Sequence, residues 1–219
     1  MPYDKIINIL PLFFIEMAAL VSLLSFRERF PVNMRWLSLI WVGVFLVEVT
    51  GHVTGLFGIR NFWLYNCFDI FFVIGIALVY RQELKSPVLK KTIVVFLAFF
   101  AVFALINIIF LQQLRNYNSL NYISGGAFLI LLAGAFFWQL YASDDTRRIS
   151  REPFFWFSAG FLIYFGGSVP FLGMYNLLID KYPDFAALYQ KYVYVFFSIL
   201  LNICIVTGYL CRKEFPKTY

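Results

Sequence analysis

Seven stretches of roughly twenty predominantly apolar residues recur along the chain, at 6–26, 36–58, 62–80, 92–111, 120–141, 153–179 and 187–211. In a bilayer every backbone N–H and C=O has to be satisfied within its own segment, so runs of this length predict membrane-spanning helices. They lack the short alternating pattern of barrel strands. Composition agrees: 62% of the residues are hydrophobic and only 14% are charged, too few to coat a soluble domain of 219 residues. The expected fold is therefore all-α, a polytopic membrane protein with a single seven-transmembrane-helix bundle as its one domain. No connection between the runs is long enough to form another.

The basic residues set an expected orientation. Thirteen of the 18 Lys and Arg fall in the connections after the first, third and fifth runs and in the C-terminal tail; five fall on the opposite side. Cytoplasmic loops retain Lys and Arg, which predicts an N-terminus outside, a C-terminus in the cytoplasm and residence in the plasma (inner) membrane. The net charge of +6 then marks a cytoplasmic membrane face in contact with anionic lipid and gives no reason to expect nucleic acid. The first run lacks a basic leader and a small-residue cleavage site and is expected to remain in the mature chain. Cys67, Cys204 and Cys211 all lie within runs and form neither a disulfide framework nor a CxxC motif.

Small residues predict where helices approach. Gly51 and Gly55 have GxxxG spacing, and Gly125, Gly126 and Gly134 give the fifth run a smooth stripe. In the sixth run "FGGSVPFLG" places Gly166 and Gly167 just before Pro170, a combination expected to bend or unwind the helix, either as a hinge or as a static kink. Ser158, Ser168 and Ser198 read as helix-packing hydroxyls.

The chemistry concentrates in the first three runs. Glu16, Glu48, His52 and Asp69 are ionisable groups in the outer half to middle of the membrane, and a charge near a helix centre costs roughly 2.5–3.5 kcal/mol on insertion scales. These groups must face inward, pair or become neutral. Glu48 and His52 stand at i and i+4; Asn66 and Asp69, at i and i+3, give the third run a polar face, with Tyr65 one turn away. Three readings follow: a hydrogen-bonded network that fixes helix register, an outward-opening site for a small-molecule or lipid ligand or a proton, or a metal or catalytic site. In the last, Glu16, Glu48, His52 and Asp69 would hold a divalent metal, or two carboxylates would serve as acid and base on a lipid-borne bond. Membrane zinc hydrolases of the ceramidase and adiponectin-receptor type depend on several histidines, and this chain has one.

Seven runs, short loops and a proline in the sixth resemble the receptor and rhodopsin architecture at the level of topology. A retinal pigment would need a lysine midway along the seventh run; Lys191 lies near its outer end, so retinal is not expected. "LVYRQEL" puts Arg81 after Tyr80 and only superficially matches the receptor arginine motif. The chain also resembles the seven-helix membrane regions of bacterial sensor kinases, again by topology. That resemblance implies a module that senses an outer-leaflet or periplasmic cue and passes it through cytoplasmic loops to a separate partner; the buried polar residues Glu16, Glu48, His52, Asn66 and Asp69 are the expected lining of its site in the outer half of the bundle. The alternatives are an intramembrane lipid-modifying enzyme and a structural membrane subunit.

Overall fold

A computed structural model describes residues 2–26, 32–114, 116–143 and 149–211. Among them there is no strand. The helices are α1 (Pro2–Phe26), α2 (Val32–Leu56), α3 (Phe62–Glu83), α4 (Pro87–Leu111), α5 (Ser119–Tyr141), α6 (Pro153–Gly173), the short α7 (Tyr175–Lys181) and α8 (Pro183–Leu210), with a 3-10 turn at Ile149–Arg151. Pro87, Pro153 and Pro183 open α4, α6 and α8, where a missing N–H costs nothing and the fixed φ suits a first turn. Ser86 adds a side-chain cap to α4 by accepting from the Leu89 amide.

Six helices, α2 to α6 and α8, are long and apolar enough to cross a membrane, which makes the chain an integral membrane protein. In α1 the described apolar stretch, Leu10–Leu24, is shorter. Several of the basic residues behind the expected orientation, among them Arg27, Arg29, Arg147, Arg148 and Arg212, lie outside the described residues.

Six helices close into a ring. Around it, α1 packs on α2, α2 on α3, α3 on α5, α5 on α6, α6 on α8, and α8 back on α1. Outside the ring, α4 leans on α3 and α5. It buries Ile93, Phe100 and Ala104 and exposes Val88, Val94, Val95, Phe99, Val102 and Leu105, as expected for a helix apolar on all sides and bordered mostly by lipid.

Two expectations about the runs change. The sixth does not extend to residue 179: α6 passes through Gly166, Gly167 and Pro170 without interruption and stops at Gly173, after which Met174 leaves helical geometry and α7 begins. Pro170 offers no N–H to the Gly166 carbonyl one turn back, and the Tyr189 hydroxyl donates to the adjacent Gly167 carbonyl. The last run begins earlier than 187, at Pro183, and contains a π-helical turn at Tyr189–Tyr194.

Glycine contacts divide as well. A methyl group on Gly51 would fall 2.1 Å from the Tyr65 hydroxyl oxygen; on Gly125, 2.5 Å from Val73; on Gly126, 2.5 Å from Val169; and on Gly208, 2.3 Å from Phe157. Gly55, Gly134 and Gly166 have open space there. The GxxxG pair is therefore not one contact surface, because only Gly51 meets a neighbouring helix.

Candidate functional site

The ring encloses a cavity of about 420 Å³. Every ring helix contributes to its wall: Ile15 from α1, Val44, Val47 and Glu48 from α2, Tyr65, Asp69 and Phe72 from α3, Tyr122 and Gly126 from α5, Tyr164 and Phe165 from α6, and Gln190, Tyr194, Ser198 and Asn202 from α8. Asn61, Tyr117 and Tyr175, from the α2–α3 connection, the α4–α5 connection and the start of α7, line it at one end of the bundle.

Chain geometry brings the two carboxylates level. Glu48 lies eight residues before the end of α2 and Asp69 seven after the start of α3, and the helices are antiparallel neighbours joined by a short turn. At about 1.5 Å per residue the two sit at nearly equal depth. The turn is held by Asn61, whose carboxamide donates to the Gly51 carbonyl at 2.8 Å and to Thr54 Oγ1 at 3.2 Å. Gly51 in turn leaves room for the Tyr65 ring, and the Tyr65 hydroxyl donates to Glu48 at 3.2 Å. Asp69 has no hydrogen-bond partner among the described residues, although it shares the cavity with Glu48.

The other expected site residues lie elsewhere. Glu16 is exposed on α1 beside Phe13, Met17 and Leu20, also exposed; its neighbour Ile15 is the one that reaches the cavity, and successive residues of a helix point about 100° apart. His52 is exposed too. Four residues advance a helix by about 40° beyond a full turn, which carries His52 past the edge that Glu48 occupies and leaves Gly51 as the buried neighbour. Asn66 is 1% exposed and absent from the cavity wall. Its carboxamide donates to the Asn116 carbonyl at 2.7 Å and accepts from the Asn118 amide at 3.0 Å, clamping the connection that carries Tyr117.

No group of three or more His, Cys, Asp or Glu among the described residues could hold a metal. The four-residue metal set therefore reduces to two carboxylates in the cavity and two groups outside it. With His52 on the outer surface, it cannot serve as base to a cavity serine such as Ser198. What the arrangement can do is accept hydrogen bonds and attract positive charge.

The tyrosines other than Tyr65 are the part of the wall that sequence reasoning missed. Tyr164 donates to Tyr194 at 2.9 Å, Tyr122 shares a 2.6 Å bond with Ser168, and the Tyr117 ring meets Tyr175 edge-on at 5.2 Å between centroids. A usable signal was present: Tyr122, Tyr164 and Tyr194 stand inside apolar runs, where each hydroxyl needs a partner or a polar space. The π turn in α8 adds to this by bringing Gln190 and Tyr194 to the same wall.

Comparison with protein-family models, curated proteins and solved structures finds no match.

Proposed function

We propose that the chain is a non-enzymatic membrane sensor or ligand-binding module whose site is the ring cavity at Glu48 and Asp69. The observation that carries this reading is a roomy cavity with a carboxylate, Asp69, that no described residue satisfies by hydrogen bonding. A purely structural network would leave neither space nor an unpartnered acid.

Topology completes the proposal. Helix α1, with 25 residues, is about 37 Å long at 1.5 Å per residue, enough for a seventh span, and it closes the ring between α2 and α8. With seven spans and the basic bias, the N-terminus is outside, the C-terminus cytoplasmic, and the cavity lies toward the outer face of the plasma membrane. A ligand there touches all six ring helices, so unequal affinity for two ring packings would shift their populations and be felt at the cytoplasmic loops by a separate partner.

The test uses the full chain with Cys67, Cys204 and Cys211 replaced by Ala and one cavity cysteine, Val47→Cys or Ser198→Cys, in sealed membranes. A membrane-impermeant thiol reagent is expected to modify either variant from the outer side only. Modification from the inner side only, or of neither variant from either side, would overturn the reading.

A further inference from the structure

The chemistry of the cavity wall specifies the charge of its ligand. Glu48 and Asp69 both line it, and among the described residues no Lys, Arg or His does. Glu48 receives one neutral donor, the Tyr65 hydroxyl at 3.2 Å, and Asp69 receives none among the described residues. Two acids in a largely apolar chamber, with no basic counterpart among its described lining, form a setting in which a cation is the partner that offsets the burial of a carboxylate, and low-dielectric walls strengthen that attraction.

The rest of the wall is aromatic to an unusual degree. Tyr65, Tyr117, Tyr122, Tyr194, Phe72 and Phe165 all face the space. Tyr117, Tyr122 and Tyr194 line the same cavity as Asp69. Ring faces are the negative end of the aromatic quadrupole and bind alkylated ammonium groups, including quaternary ones that have no N–H to donate to a carboxylate. The cavity, at about 420 Å³, is far larger than a bare ion needs and falls in the range of small organic ligands.

From these observations we infer that the cavity binds an organic ammonium, an amine or quaternary nitrogen on a compact apolar body, with the cationic centre beside Asp69 and Glu48 and its carbon substituents on the tyrosine and phenylalanine faces. This rests on the reading of the cavity as an outward-open ligand site. The ammonium is either a free solute or the headgroup of an outer-leaflet lipid.

The experiment compares two thiol reagents of similar size on the Val47→Cys chain in phosphatidylglycerol vesicles: trimethylammonium-ethyl and sulfonato-ethyl methanethiosulfonate, each normalised to its rate with a free thiol. The cationic reagent is expected to react roughly tenfold or more faster, and Glu48→Gln with Asp69→Asn to bring that ratio down several-fold toward the value set by the lipid surface alone. Soluble choline slowing the reaction identifies a free ammonium; slowing when phosphatidylcholine joins the vesicles, with no choline added, identifies a headgroup. A ratio that does not respond to the two carboxylate substitutions would overturn the ammonium inference while leaving an open cavity intact. No reaction with either reagent would overturn the open cavity itself and the inference with it. Ser198→Cys with Asp69→Asn alone repeats the comparison if the double substitution fails to fold.

Discussion

The two halves of α3 belong to different interiors. Its first half presents Tyr65, Phe68, Asp69 and Phe72 to the cavity. Its second half buries Ile76, Ala77 and Tyr80 completely, each at 0% exposure. In that dry half every buried hydroxyl has an assigned neighbour: Tyr80 donates to Ser158 at 3.0 Å, and Ser38 and Tyr209 are 2.9 Å apart, with Tyr209 also reaching the Met34 carbonyl. Around the cavity, by contrast, Asp69 is left without such a partner, although the Tyr122 and Tyr164 hydroxyls are paired. The difference teaches that polarity inside an apolar bundle has two physical uses. Paired hydroxyls fix helix register, because an unmade bond costs more than the made one gains; an unpaired acid on a cavity wall is free to accept from a ligand, which is the use proposed for Asp69.

Emptying the dry half has the largest expected effect. Phe157 is fully buried against Gly208 and Tyr209, and Phe157→Ala is expected to cost about 3–5 kcal/mol, read as a loss of unfolding free energy in micelles. Phe68→Ala, on the cavity wall, should cost clearly less, since that ring already borders open space. Thiol reactivity sharpens the contrast: in the cysteine-free chain, Val47→Cys should react roughly a hundredfold faster than Ala77→Cys, which is sealed until the bundle opens locally. A gentler cut is Tyr80→Phe, which removes the bond to Ser158 and should lower stability by about 1 kcal/mol in the same unfolding assay.

Sequence reading reached the helices readily and the site only partly. Span positions were legible because hydrocarbon thickness imposes a length, and length is a one-dimensional property. The equal depth of Glu48 and Asp69 was legible for a similar reason, their near-equal distance from the α2–α3 turn. Azimuth was not. Helices that are apolar all round, as α2 nearly is, carry no hydrophobic stripe to show which way Glu48 and His52 face, and Ile15 and Glu16 differ by a single position. The end of α6 at Gly173 was also hidden, because the residues that follow, Tyr175 to Ile179, are as apolar as the helix before them.

The smallest expected effect belongs to the two cavity carboxylates. Glu48→Gln combined with Asp69→Asn replaces two ionisable acids inside the bundle by neutral amides and touches only the one hydrogen bond from Tyr65, so thermal unfolding in lipid nanodiscs should occur at or slightly above the temperature of the unsubstituted chain. A fall as large as that caused by Tyr80→Phe would show that the two carboxylates hold the bundle together, and would contradict a cavity kept open for a ligand.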